Sequence, residues 1–395
     1  MKRNHNSHFH HWPRKLAMVI PIVTISILFL SLLLPLTKPS PSSLSSSSSS
    51  SSATWSSLNS TEELEASLPK LAYILSGSKG EGAQLKRLLH LNLEASNAER
   101  LVLAKYVKSQ TMFTTFGNVL VVGKPDLVTY KGPTIIASTL HGIALLLKKA
   151  PHWDWLINLN ASDYPLLSHD NLLHIFSFLP RDLNCIEHTS NTGWKEHQRA
   201  RPIIIDPGLY HSKKFGVYWA KEKRSVPSSF KLFTGSAWVV LTKSFLEFCV
   251  WGWDNLSRTL LMYYTNFVSS PEGYFHTVIC NHKDYQNTAI NHDLRYIRWD
   301  NPPKQHPDDP VGAPFARKFT KDDPVLNKID KELLRRSDGH FTPGGWCIGN
   351  PVLEKDPCAV YGNAIVVKPT LQSKELEKLL VKLLDSENFR PKQCQ

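Results

Sequence analysis

The chain has 395 residues, 42% hydrophobic and 10% aromatic, enough for one large domain or two ordinary ones with a sizeable core. Its formal net charge is +12, but residues 1–60 hold five of the 46 basic residues and none of the 34 acidic ones, leaving 41 against 34 beyond them. A surplus of that size suits an anionic ligand or simply a solvated surface. A nucleic-acid partner is argued against by the export signal that comes first in the chain.

Leu16 to Leu36 reads LAMVIPIVTISILFLSLLLPL, without a charge. That is close to the ~20 apolar residues a helix needs to cross a bilayer, and it is longer than the apolar region of a cleaved leader. It reads as a signal-anchor transmembrane helix over 16–36. Lys2, Arg3, Arg14 and Lys15 precede it and no acid occurs before Glu62, so residues 1–15 are expected in the cytosol and the remainder in a lumen. Residues 37–68, Ser-rich with Pro39 and Pro41, bury too little apolar surface to fold and form a flexible stem. Residues 69–395 are then the lumenal domain. Sequons at Asn59, Asn160 and Asn255 fit that placement, as do six cysteines on an oxidising side. Cys347 and Cys358, in the Gly/Pro-rich stretch GGWCIGNPVLEKDPC, are the best pair.

From residue 71 apolar runs and helical segments alternate. LAYILSG, NVLVVG and WDWLINL read as buried strands, and EGAQLKRLLH and PTIIASTLHGIALLLKKA as helices. The alternation predicts an α/β fold with a largely parallel sheet, whose ligands gather beyond the carboxyl ends of the strands. The first strand runs into SGSKGEG, either a phosphate-facing turn at Ser76, Gly77 and Ser78 or a plain flexible one. WDWLINL runs into NASDYPLLS, where Asn158, Asn160, Ser162 and Asp163 form either an Asx-turn leading to a helix near Asn171–Leu179 or a ligand-facing strand end. In the second case Asn160 is too enclosed to carry a glycan.

RPIIIDPGLY predicts a strand ending at Asp206, and FKLFTGSAWVVLT another, with Gly235 and Ser236 where a close approach needs small residues. Trp194, Trp219, Trp238, Trp251 and Trp253 crowd the middle of the chain, as core or as flat rings on which sugars stack. In SSPEG, Ser270, Pro271 and Glu272 read as N-cap, first helical residue and first-turn acid. Arg317, Lys318 and Lys321 stand just ahead of a further helix start at Asp322, Asp323 and Pro324, suited to a diphosphate or to a solvated turn.

LAYILSGS, WDWLINLNASDYPL, RPIIIDPGLY, FKLFTGSAW, LLMYYTNFVSSPEGYFHTVICN, NHDLRYIRWDNPPKQHP and PFARKF together resemble the plant branch of the core-2/I-branching β-1,6-N-acetylglucosaminyltransferase family, glycosyltransferase family 14. Within it they are most similar to the plant β-glucuronosyltransferases that act on type II arabinogalactan. The resemblance spans roughly residues 71 to 335. It implies a single-pass type II Golgi membrane protein with a GT-A-type nucleotide-sugar fold. It also implies an inverting, metal-independent transferase that needs no cofactor beyond its UDP-sugar substrate. No D-x-D triplet occurs, consistent with basic side chains neutralising the leaving diphosphate.

On that resemblance Glu272 is the general base, held at a helix N-terminus that favours its anionic form. Lys318 matches the diphosphate-binding lysine, with Arg317 as helper. Ser76, Gly77 and Ser78 face the nucleotide, and Asn92, where relatives carry an aspartate, faces the nucleoside. Asp163 presents a polar group to the donor. Trp194, Lys195 and Arg199 lie in the loop that meets donor or acceptor sugar, with Lys195 or Arg199 for a glucuronate carboxylate. Asp206, Ser236 and Trp238 complete the sugar-facing set. Compared with relatives, KRLLHLNLEAS joins the first helix directly to the tail of the second strand, and the link between NPPKQHP and PFARKF is short. The expected activity is transfer of glucuronic acid from UDP-glucuronate to arabinogalactan or another β-galactan. The alternatives are the same fold using UDP-N-acetylglucosamine or UDP-xylose, or a catalytically impaired scaffold in complexes with other Golgi transferases. A glycoside hydrolase would need two facing carboxylates, for which only Asp206 offers itself beside Glu272.

Overall fold

A computed structural model describes residues 68–395 apart from 79–80, 82, 86–96, 123–126, 130, 211–215, 301–302, 307–311, 338–339, 350–355 and 364. The expected tail, span and, but for residue 68, stem, with Asn59, and the expected nucleoside position Asn92 lie outside the described residues. Among the described residues no helix is long and apolar enough to cross a membrane.

The strands are β1 (Leu71–Ser76), β2 (Trp155–Asn160), β3 (Tyr164–Pro165), β4 (Asn184–Thr189), β5 (Pro202–Ile205), β6 (Tyr218–Lys223), β7 (Thr234–Thr242), β8 (Ala289–Ile290), β9 (Arg295–Asp300), β10 (Pro303–His306) and β11 (Phe315–Arg317). The central sheet has the order β1-β2-β7-β4-β8, a second sheet is β10-β9-β11-β3, and β5 and β6 form a separate ribbon.

Strands β1, β2 and β7 read as continuous apolar runs because both faces of the sheet are covered. Trp155, Ile157 and Leu159 point into one core cluster with Leu75 and Val240. Leu156 points into the other, with Ala72, Ile74, Val239 and Leu241. Ile157 is fully buried, and truncating it to alanine would cost about 2–5 kcal/mol.

The helix Thr134–Lys149 covers the second face with Ile136, Ile143 and Leu147, a spacing that keeps one stripe toward the sheet. It ends on Lys148 and Lys149, cations at its negative end. The predicted helix after NASDYPLLS spans His169–Ser177, where Ser168 Oγ accepts from Asn171 N at 3.3 Å.

Two expectations need correction. The central sheet is mixed and not largely parallel: β1 with β2 and β4 with β8 are parallel, but β7 runs antiparallel to both β2 and β4. The chain passes through the β5–β6 ribbon after β4 and re-enters the sheet between β2 and β4 in the opposite sense, a long-range choice no local pattern encodes. The run NVLVVG is not a strand: residues 118–122 are irregular and Leu120 is 43% exposed. Among the described residues its β-branched pattern has no neighbouring strand with which to pair.

Gly235 is where β7 demands a glycine, since a Cβ there would lie 1.7 Å from Glu187 O. β4 and β7 slip register between Ile186 and His188. There the Asn158 side chain takes over pairing with β7, donating to Ala237 O at 2.9 Å and accepting from Val239 N at 2.8 Å. The result is a kinked strand end that re-aims Ser236 and Trp238.

The expected Cys347–Cys358 disulfide is present. A second one, Cys280–Cys394, ties the helix Tyr274–Asn281 to the C-terminus.

Candidate active site

Glu272 sits in a single 3-10 turn, Ser270–Glu272, one glycine ahead of the helix Tyr274–Asn281. It therefore stands at the helix head and not inside its first turn. The serine roles also differ from the sequence expectation. Ser270 is buried inside the turn, and its Oγ donates to Tyr264 O at 2.8 Å and Phe267 O at 3.0 Å, fastening the turn to the preceding helix. Ser269 is the flanking residue, with φ 62° and ψ 50°. Its N–H donates to the carbonyl of Lys131, another left-handed residue, at 2.8 Å. A non-glycine residue in that region costs about 1–2 kcal/mol, held here by the surrounding bonds. The conformation aims Ser269 Oγ at Glu272 Oε1, 2.8 Å away.

The other carboxylate oxygen, Oε2, accepts from Arg199 Nη1. Arg199 comes from the helical turn Glu196–Ala200, which Arg201 clamps by donating to Glu196 Oε1 at 2.7 and 2.9 Å. The Arg199 guanidinium lies 5.2 Å from the centre of the half-exposed Trp194 ring. Lys195 Nζ donates to Thr234 Oγ1 at 3.3 Å, at the start of β7. Burial pulls the Lys195 ammonium below its ordinary value, and the Glu272 carboxylate pushes it back up. The structure thus gathers Glu272, Trp194, Lys195 and Arg199 into one cluster. Glu272 keeps 28% of its side chain exposed, so a hydroxyl can reach it.

A second cluster forms at the far end of the β7 bulge. Asp163 is 1% exposed, and its Oδ2 accepts from Asn160 N at 2.8 Å and Trp238 Nε1 at 2.7 Å. Its Oδ1 lies 3.5 Å from Arg317 Nε, and the Arg317 guanidinium stacks 3.5 Å from the Trp238 ring centre. Burial pushes the Asp163 carboxyl up and the Arg317 guanidinium down, while each pulls the other back toward its charged form. Asp163 therefore holds Arg317 and Trp238 in place and is not open to a ligand. Lys318 follows directly and is exposed. Phe319 N donates to Ser162 O at 2.9 Å, which fixes Lys318 beside the turn that ends β2. Ser236, buried on the stretch of β7 between the clusters, accepts from Trp238 N at 3.2 Å.

Asp206 is corrected from a sugar-facing residue to an internal fastener. It is fully buried; Oδ2 accepts from Thr134 Oγ1 at 2.7 Å and Thr134 N at 3.2 Å, and Oδ1 from Gly208 N at 2.8 Å. It caps the Thr134–Lys149 helix from 72 residues away and cannot serve as a second catalytic carboxylate. Ser76, Gly77 and Ser78 lie at the end of β1 but are engaged locally. Ser76 Oγ donates to Leu159 O at 3.3 Å, Gly77 packs on Leu85, and Ser78 Oγ donates to Glu81 Oε2 at 2.8 Å. Asn160 is half-buried with its Oδ1 accepting from Ser162 N and Oγ, whereas Asn255 is exposed at the head of the helix Leu256–Tyr264.

Sequence reasoning missed Arg295. It is fully buried in β9, donates from Nη2 to Asn158 O at 2.9 Å and stacks 4.4 Å from the Phe315 ring centre. Burial lowers its guanidinium, and Asp163 and then Asp293 raise it. The available signal was an arginine inside the apolar run LRYI. His188, Cys280 and Cys394 are close enough to resemble a metal centre, but the two sulfurs are bonded to each other and His188 Nε2 accepts from Cys394 N at 2.8 Å.

The profile described as Core-2/I-Branching enzyme matches residues 72–319, which contain both clusters. The chain belongs to the Core-2/I-branching enzyme family. Membership makes it a glycosyltransferase. Among curated proteins it is similar to three from Arabidopsis thaliana. It is 57% identical to Beta-glucuronosyltransferase GlcAT14B over 82% of this chain and 80% of that one. It is 54% identical to Beta-glucuronosyltransferase GlcAT14A over 83% and 78%. It is 58% identical to Beta-glucuronosyltransferase GlcAT14C over 84% and 86%. The family segment ends one residue beyond Lys318, so the Cys347–Cys358 loop and the disulfide-tied C-terminus lie wholly or partly outside it.

Proposed function

We propose that this Core-2/I-branching family member transfers glucuronic acid from UDP-glucuronate to galactan chains of type II arabinogalactan, with inversion. The observation that carries the reading is the Glu272 carboxylate, held by Ser269 and Arg199 beside the Trp194–Lys195 loop yet open to solvent. The identity to three β-glucuronosyltransferases supports the donor.

Each Glu272 oxygen accepts one protein hydrogen bond and has a further lone pair. The acceptor hydroxyl gives its proton to that carboxylate as its oxygen attacks the anomeric carbon. The bond from that carbon to the UDP oxygen breaks on the opposite face, so one carboxylate suffices for inversion. Charge develops on the departing diphosphate, where Lys318 and the remaining N–H groups of Arg317 neutralise it without a metal ion. In this reading Lys195 receives the glucuronate carboxylate and Trp194 stacks on a sugar face. The full chain is read as a type II Golgi membrane protein with this domain in the lumen.

The decisive experiment is Glu272→Gln in the purified enzyme with UDP-glucuronate and a β-galactan. Transfer should fall by about 10²–10⁴-fold while UDP affinity stays within about twofold. Retained turnover would reduce Glu272 to a helix-head acid. Offering UDP-xylose and UDP-N-acetylglucosamine in the same assay tests the donor, since transfer from one of these alone would overturn the glucuronate assignment.

A further inference from the structure

The β5–β6 ribbon carries side chains that the reaction centre does not use. Every residue of β6, Tyr218 to Lys223, is exposed. Trp219 is 57% exposed, unusual for an indole on a two-stranded ribbon with so little core of its own.

Trp219 lies opposite Ile204 and Lys223 opposite Pro202, with a register shift between. Ile204 is fully buried, whereas its partner Trp219 and every other residue of β6 stay exposed. Exposed Lys221 lies between Trp219 and Lys223 along β6, two positions from each. Along the strand a flat apolar ring is thus followed by two ammonium groups, with exposed Glu222 between them.

The ribbon is fastened to the base-bearing loops at two points. Ile204 N donates to Asn266 O at 3.1 Å, and Asn266 Nδ2 donates to Ile204 O at 2.8 Å, just upstream of Ser269. Arg224 N donates to Arg201 O and Arg224 Nε to Ala200 O, both at 2.8 Å, adjoining Arg199. β5 and the end of β6 are therefore fastened to the segments that carry Ser269 and Arg199.

Chemistry selects the occupant. An indole face suits the apolar face of a pyranose, and two lysines within one or two sugar lengths suit carboxylates spaced along a chain. We propose that Trp219, Lys221 and Lys223 form a distal acceptor subsite that binds a stretch of galactan already bearing glucuronate, a few sugars from the reacting hydroxyl. The subsite rests on the glucuronosyl-transfer reading above. It makes the product of one transfer a preferred acceptor for the next, so that glucuronates are added in clusters.

The test uses the full chain as wild type, Trp219→Ala and the double variant Lys221→Ser/Lys223→Ser. Binding is read by native affinity electrophoresis in gels containing neutral or glucuronidated β-galactan, which needs no donor. Wild type should be retarded more by the glucuronidated polymer, and the lysine variant should lose that difference. Trp219→Ala should lose retardation by both polymers. Its KM for a long glucuronidated galactan should rise about tenfold relative to its KM for galactobiose, the scale of one lost ring-to-sugar contact. Equal retardation of all three proteins would overturn the subsite. So would a variant that changes oligomeric state in size-exclusion chromatography with glycan binding intact, which would make this face a protein contact. Failure of the parent reading looks different: wild type would then transfer no glucuronate even to galactobiose, whatever the gels show.

Discussion

Arg199 and Glu272, 73 residues apart in the chain, meet as an ion pair in which Nη1 of the guanidinium donates to Oε2 of the carboxylate. The Trp194 ring, 5.2 Å from the same guanidinium, holds it from another side. The carboxylate is therefore oriented by a group that is itself oriented. Lysine carries the same charge but cannot both stack on the ring and present a fixed planar fork.

Arg199→Lys should lower kcat more than it raises the donor KM. A charge-assisted hydrogen bond is worth about 1.5–3 kcal/mol, so the loss should be on the order of 10–100-fold. Steady-state kinetics with the donor varied measure it. An unaltered kcat would remove Arg199 from the positioning of the proposed base.

Trp238→Phe keeps an aromatic face for Arg317 but deletes the Nε1–H that Asp163 Oδ2 accepts at 2.7 Å. Leaving a buried carboxylate oxygen short of a donor costs about 1–3 kcal/mol. Urea denaturation should show that loss in the midpoint, and UDP affinity should weaken because Asp163 no longer holds Arg317 in one place.

Asp206→Ala separates a structural from a catalytic carboxylate. It removes three accepted hydrogen bonds and uncaps the Thr134–Lys149 helix, which should cost about 1–3 kcal/mol of stability. Below the melting transition, kcat per folded molecule should match wild type. A selective loss of kcat with normal stability would return Asp206 to the site.

Two histidines set an acid limb of stability. Burial holds His188 below its ordinary value near 6.5 and pushes His276 down to about 3. In the unfolded chain both bind a proton near pH 6.5, so the unfolded state carries more protons at lower pH. Their contribution is present above that pH and is lost as pH falls toward the folded values. The slope is up to about 1.4 kcal/mol per pH unit for each histidine. Chemical denaturation between about pH 7.5 and 5 should show this decline, and His276→Gln should flatten it. An unchanged slope would assign the acid limb to other groups.

Much of the scaffold was legible because burial imposes a period on the sequence. Strands β1, β2 and β7 and the helix Thr134–Lys149 lie where the apolar runs predict. The bond between Cys347 and Cys358, 11 residues apart in a turn-rich stretch, is a local matter. SSPEG alone reads as a helix start, and it was the ordered motifs around it that drew attention to Glu272. What local pattern could not encode was pairing across long stretches of chain. NVLVVG has the composition of a strand but no neighbour among the described residues, β7 has the right span but a direction set by where it re-enters the sheet, and Cys280 finds Cys394 114 residues away.

The same division runs through the site. The sequence by itself determined the family, because its motifs are short and read in order, and through that family it drew attention to Glu272, Arg317 and Lys318. Only the tertiary structure decided what each carboxylate does. Glu272 faces solvent between Arg199 and Ser269, Asp163 is spent on Arg317 and Trp238, and Asp206 caps a helix. A carboxylate's role depends on burial and on the donors that surround it, and those donors arrive from strands and turns far away in the chain.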